Sequence, residues 1–217
     1  MLPSSSNLIS IQPLPRHIFY ADERVVPPDH PDSNHFLCTQ ELFSKVSSNP
    51  GSELIIHKVV EEGADMTNYD DPDLLEDLAV TYSQKLAEDF GSGNAVAYPV
   101  FDLILLGIGP DGHTCSLFPN HPLLHRKKDW VASLDDSPKP PPKRVTLTYP
   151  TLNRADRIVF VATGEGKADI LSTILDKPEE GLPASLVKPE YPGRVRWFVD
   201  DAASAKVKYA KTSYQKL

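Results

Sequence analysis

The stretch "LILLGIGPDGHTCSLFP", residues 103–119, sets Asp111 two positions before His113 among Gly107, Gly109 and Gly112. An imidazole titrates close to neutral pH, so His113 is chemically suited to take a proton from water. Asp111 can orient or polarise it only if the loop turns, because side chains at i and i+2 do not otherwise meet. The glycines permit positive φ and close backbone approach, which would let N–H groups face a developing oxyanion. A second reading of the same residues is a structural histidine with an aspartate cap, and the local pattern leaves both open. The spacing also spells G-x-G-x-x-G. A dinucleotide turn, however, needs the glycines to open a helix facing pyrophosphate and an acid at the end of the next strand. Here Pro110 and Asp111 fall between the second and third glycines, and the aspartate would set negative charge beside the phosphates. No acid-terminated strand follows at the required distance, so no nucleotide cofactor is expected.

Three cations complete a candidate anion site. Lys167, in "ATGEGKAD", follows an apolar run and opens a helix whose N–H groups attract anions. This is no Walker A loop, since Val161 stands at the first glycine position and Ala168 follows the lysine. Arg24 in "ADERVVP" and Arg144 in "KRVTLT" lie at strand ends. Each of the three reads equally as a solvated surface charge. Cys115 beside the histidine has no evident activating partner, so a small packing residue is the better reading than a thiol nucleophile.

The elements that must carry these residues alternate along the chain. "HIFYADE" reads as a strand, "SNHFLCTQELFSKV" as a helix capped by Ser33, and "ELIIHKVV" as a strand. Asp71 caps a helix with Pro72 at its first position, in which Leu75, Leu78, Ala79, Tyr82, Leu86 and Phe90 share a face. "FDLILLG" and "DRIVFVATG" are near-continuous apolar runs, the pattern of strands covered on both faces. "RVTLTYPTL" supplies a strand and a turn, "KADILSTILDK" a helix, "RVRWFVDD" a strand, and a short helix is expected to close the chain. Alternation of this kind predicts an α/β layer sandwich with a mainly parallel sheet. The Pro-dense "SPKPPPKR" reads as an extended surface connection.

Composition narrows the function classes. A chain of 217 residues can bury a substantial core, and one domain over 1–217 is expected, with residues 1–16 irregular. The 22 Lys plus Arg against 30 Asp plus Glu leave a formal charge of -8, which argues against a nucleic-acid surface. Two cysteines, Cys38 and Cys115, give neither a metal-ligand spacing nor a disulfide framework, so no metal is expected and a reducing compartment fits. No apolar run reaches membrane-spanning length, and the opening residues lack the pattern of a secretory signal. The final "QKL" lacks the small first residue of the peroxisomal tripeptide. A cytoplasmic monomer is the expectation.

Taken together, "ADERVVPPDHPDSNHFL", "GIGPDGHTCSLFP" and "RVTLTYPTLNRADRIVFVATGEGKADIL" resemble the 6-phosphogluconolactonase family, with three motifs in the family's order from about Ile18 onward. The resemblance implies a three-layer α/β sandwich with a Rossmann-like sheet, shared with glucosamine-6-phosphate deaminase. It implies hydrolysis of 6-phospho-D-glucono-1,5-lactone to 6-phosphogluconate in the oxidative pentose phosphate pathway, without metal or nucleotide. His113 would be the base that activates water, with Asp111 in the same motif. Substrate contacts would come from Asp22 and Arg24 of D-E-R, Gly109 of the loop, Lys167 of G-x-x-K, and Arg144. The related deaminases carry a glutamate where this chain has Phe118 and tend to tyrosine at Arg24, so deaminase or isomerase activity is the weaker alternative. Family members also begin with a strand and a Gly-Gly-Ser loop that opens a helix. Nothing ahead of "HIFYADE" matches that opening, so an N-terminally short fold is expected. A non-catalytic, lactonase-like binding protein is the remaining alternative.

Overall fold

Parallel strands form two of the three sheets among the described residues. In the first, β1 (Arg16–Phe19) pairs in parallel with β3 (Leu54–His57), Arg16 opposite Leu54 and Phe19 opposite His57. In the second, β4 (Ile104–Leu106), β7 (Ile158–Ala162) and β8 (Val195–Val199) lie side by side in that order, all parallel. A third, antiparallel sheet has the order β2 (Asp22–Arg24), β6 (Arg144–Leu147), β5 (Val131–Leu134). The computed structural model describes residues 16–46, 53–65, 71–91, 98–190 and 194–212. The α/β sandwich with mainly parallel strands is as the alternation predicts, and the antiparallel sheet is its addition.

The helices follow their sequence signals. Ser33 caps α1 (Asn34–Cys38) by accepting the Phe36 N–H, and a π-helical turn, Thr39–Phe43, carries the chain into α2 (Ser44–Val46). Asp71 caps α3 (Pro72–Phe90) by accepting the Asp73 N–H. The predicted apolar face of α3 buries Leu75, Ala79, Tyr82 and Leu86 and packs on β5 and β6. A short helix α4 (Tyr149–Leu152) follows β6, and α5 (Ala168–Asp176) follows β7. After β8 the described chain forms turns rather than the expected helix, because the Asp200 carboxylate accepts both the Ala203 N–H and the Gly164 N–H and holds the backbone back against the loop after β7. Among the described residues no helix is long and apolar enough to cross a membrane.

One expectation fails on β4 and β7. Their apolar runs predict burial on both faces, yet burial alternates. Ile104, Leu106, Ile158, Phe160 and Ala162 point into the core, while Leu105 is 65% and Val161 50% exposed. Phe198 on β8, at 41%, joins the same open face. Leu105 and Val161 thus meet solvent while apolar neighbours on the same strands meet the core.

The chain enters the site region through a buried tyrosine. The Tyr82 hydroxyl on α3 accepts the Tyr20 N–H at 2.6 Å and donates to the Tyr20 carbonyl at 3.1 Å, and it thereby pins the backbone between β1 and β2. Tyr82 is 1% exposed, so its loss leaves a donor and an acceptor without water. Tyr82→Phe is therefore expected to lower unfolding stability by about 1–3 kcal/mol. Urea denaturation checks this, and an unchanged midpoint would mean that the hydroxyl holds nothing.

Candidate active site

The loop after β4 folds back on itself. Its Gly109 N–H donates to the His113 carbonyl at 2.8 Å, and the Gly112 N–H donates to the Gly109 carbonyl at 3.0 Å. Gly112 adopts φ +82°, a conformation that side chains other than glycine rarely take. This turn supplies what i and i+2 residues lack in an extended chain. His113 Nδ1 lies 2.5 Å from Asp111 Oδ1, with the ring held against buried Phe118 at 4.7 Å between centroids. A Cβ at Gly109 would stand 1.9 Å from His113 Nδ1 and 2.6 Å from Asp111 Oδ1. Gly109 is thus required for room. Its N–H is committed to the His113 carbonyl, which leaves any substrate contact to its carbonyl side.

Lys139, which the sequence reading passed over, joins the pair. Its Nζ lies 3.1 Å from Asp111 Oδ1 and 3.2 Å from His113 Nδ1. It comes from "SPKPPPKR", which is more than a surface connection, because the buried Arg144 guanidinium gathers the stretch around itself. Arg144 donates to the carbonyls of Pro141 (3.0 Å), Lys139 (3.0 Å) and Pro140 (3.1 Å). At 3% exposure Arg144 is a buried anchor, with Asp22 Oδ2 4.0 Å from its Nη1.

The charges tune one another. Burial pushes the Asp111 carboxyl up, but the contacts from His113 and Lys139 outweigh it and hold the group at about 2. Burial lowers the His113 pKa, and the positive Lys139 adds to that, against the Asp111 contact and the Asp22 charge, which raise it. The net effect leaves His113 neutral at pH 7. With Nδ1–H donated to Asp111, Nε2 is the nitrogen free to accept a proton. Burial and the Asp22 charge push the Cys115 thiol well above its ordinary range, so no thiolate nucleophile forms there.

β2 brings the other predicted residues beside this loop. Asp22 accepts the Ser116 hydroxyl at 2.8 Å, which ties β2 to the histidine loop, and Asn34 Nδ2 donates to its backbone carbonyl at 2.8 Å. The buried Glu23 carboxylate receives the N–H groups of Arg24, Asn34 and His35 and the Ser33 hydroxyl. Burial raises its pKa against those donors. This clamp fixes the start of α1 and with it Asp32, whose carbonyl accepts Arg24 Nη1 at 2.8 Å. Arg24 sits directly across the strand pair from Arg144, and among the described residues its buried Nε–H has no partner, a donor in want of an acceptor. Lys167 closes a 3₁₀ turn at the start of α5 and donates through Nζ to the Ile108 carbonyl at 2.6 Å, at the entrance to the histidine loop. The structure therefore joins Asp111, His113 and Gly109 in direct contact. Asp22 and Lys167 are bonded to the same loop, and Arg24 and Arg144 form a neighbouring pair of guanidinium groups.

A histidine–carboxylate pair beyond the carboxyl end of a parallel strand, with Lys139 against it and Lys167 bonded to the same loop, gives this α/β protein its candidate site. The chain belongs to the glucosamine-6-phosphate isomerase/6-phosphogluconolactonase family, whose model matches residues 5–197. It is 48% identical over 186 residues to 6-phosphogluconolactonase of Rattus norvegicus, covering 85% of this chain and 65% of that protein. With the Homo sapiens 6-phosphogluconolactonase it is 48% identical over 187 residues, covering 85% and 66%. The chain thus spans a little under two thirds of the length of these relatives. In structure it is similar to 6-phosphogluconolactonase from Trypanosoma cruzi, with a TM-score of 0.69 at 28% identity over 88% of this chain and 72% of that one.

The charge arrangement makes a signed prediction for the imidazole. Removing the neighbouring positive charge makes the imidazolium easier to form, so Lys139→Met is expected to move the His113 titration midpoint upward. Asp111→Asn removes the interaction that favours the imidazolium and is expected to move it downward. Ring-proton NMR against pH reads both, and a midpoint unmoved by Lys139→Met would detach Lys139 from the site.

Proposed function

We propose that this chain hydrolyses 6-phospho-D-glucono-1,5-lactone to 6-phosphogluconate, a step of the oxidative pentose phosphate pathway. The observation that carries the reading is the His113–Asp111 pair, neutral imidazole against ionised carboxylate, on a glycine loop beside unsatisfied and half-buried cationic donors. The family membership and the 48%-identical lactonases support it.

In this reading His113 Nε2 takes a proton from water as the oxygen attacks the lactone carbonyl. Collapse of the tetrahedral adduct breaks the bond from that carbon to the ring oxygen. The imidazolium returns the proton to the departing oxygen, which becomes the sugar hydroxyl. One water is consumed and the imidazole is regenerated. Asp111, held ionised by Lys139, fixes the tautomer and stabilises the transient imidazolium. Arg24 and Lys167 receive the anionic end of the substrate, with Asp22 fixing the loop between them and Arg144 maintaining the wall from which Lys139 projects. Because catalysis needs the neutral imidazole, the rate falls as pH drops through the lowered His113 pKa. Phe118, packed on the histidine where the deaminases carry an acid, offers no second proton-transfer group and weighs against aminosugar isomerisation.

His113→Ala is expected to lower turnover by roughly 10²–10⁴-fold, measured on fresh lactone and corrected for spontaneous opening, with the fold intact by circular dichroism. Undiminished turnover would remove His113 from the chemistry. Lys167→Ala is expected to raise KM for the phosphorylated lactone far more than for unphosphorylated gluconolactone, since a charge-assisted contact to the phosphate is lost in only one of them. Equal effects on the two substrates would leave the lysine as a loop anchor alone.

A further inference from the structure

Away from this site, three side chains from three elements converge at the edge of the first sheet. His17 on β1, His57 on β3 and Asp89 in the last turn of α3 bring ligand-type atoms within 4.8 Å of one another. His17 Nδ1 lies 3.1 Å from His57 Nε2, His57 Nε2 lies 3.1 Å from Asp89 Oδ2, and His17 Nδ1 lies 3.5 Å from Asp89 Oδ1. We propose that His17, His57 and Asp89 bind a divalent transition-metal ion of the zinc class.

Three observations carry this. The first is the triangle itself. Zinc bonds of about 2.0–2.2 Å in tetrahedral geometry separate neighbouring ligand atoms by roughly 3.3–3.6 Å, near the 3.1, 3.1 and 3.5 Å of these contacts, in which Asp89 meets His57 through Oδ2 and His17 through Oδ1. The second is proton bookkeeping. Each imidazole in the tautomer protonated on its other ring nitrogen turns a lone pair inward, which sets two nitrogen donors beside the carboxylate oxygens. A single cation at the centre satisfies all three groups at once. The third is the helix. Asp89 stands at the C-terminal end of the 19-residue α3, where the macrodipole disfavours an anion and favours a cation, and the last turn holds no basic residue.

The site is also partly organised in advance. The His57 ring lies flat on Phe19, centroids 4.1 Å apart and 3° from parallel, and Phe90 and Phe101 pack behind Phe19. The nearby Lys85 ammonium is already matched by Glu61. Two imidazoles and a carboxylate suit zinc, cobalt or nickel rather than magnesium or calcium, which take oxygen ligands. Solvent reaches the cluster and supplies the remaining position. The ion would pin β1 and β3 to the end of α3, a structural task separate from the hydrolytic loop.

The test uses chelator-stripped protein titrated with Zn²⁺ by calorimetry, with Co²⁺ as a spectroscopic probe. The expected result is one equivalent of Zn²⁺ bound, a raised thermal midpoint, and a visible Co²⁺ spectrum of the low-coordination type. His17→Ala and Asp89→Asn change exposed or half-exposed side chains, and each is expected to weaken binding by more than about tenfold, since even outer-shell losses cost that much. Circular dichroism confirms that both variants fold. No saturable uptake by the unmodified chain overturns the proposal, as does uptake unchanged in the double variant, or Mg²⁺ binding as tightly as Zn²⁺.

Discussion

At the centre of the site an imidazole and a carboxylate occupy the space that a side chain at position 109 would fill. The contact between Nδ1 and Oδ1, at 2.5 Å, exists because Gly109 contributes no Cβ and because Gly112 turns the backbone through positive φ. The Gly109 and Gly112 N–H groups are spent on this turn. The cations beside it come from side chains carried by other elements, and much of the surrounding architecture can be understood as the means of delivering them.

Delivery rests on buried polar anchors. Glu23 gathers three donors at the start of α1 and the Arg24 N–H beside it, while Arg144 gathers three carbonyls and holds Lys139 in reach of Asp111. The two anchors occupy neighbouring positions across the β2–β6 pair, the glutamate opposite Val145 and the arginine opposite Arg24. A buried charge of this kind is costly unless its partners are complete, which makes each anchor intolerant of partial disruption. Registry between β2 and β6 is thus coupled to the placement of cations that neither strand end could fix alone.

Much of this was legible in the residues. The Asp111–His113 pair, the caps Ser33 and Asp71, and the buried face of α3 each follow from local rules of spacing and capping, and the structure has them where those rules put them. Lys139 was not legible, because it acts on a residue 28 positions away and is aimed by Arg144 through carbonyl groups that carry no side-chain signature. Arg144 itself had the right neighbourhood, but its burial could not be told from a strand-end arginine in water. The open face of β4 and β7 escaped for a different reason: leucine and valine read alike whether or not something lies across them.

That open face has a consequence for the molecules as a suspension. Leu105 and Val161 present exposed apolar side chains on one face of the sheet, on a molecule whose formal charge is -8. Mutual repulsion between like-charged particles is then what opposes face-to-face sticking, and it is a long-range force that salt screens over about 10 Å at 0.1 M. Colloidal stability should accordingly be greatest in dilute buffer at neutral or alkaline pH. It should decline with added salt or with acidification toward charge balance, while each individual fold stays intact.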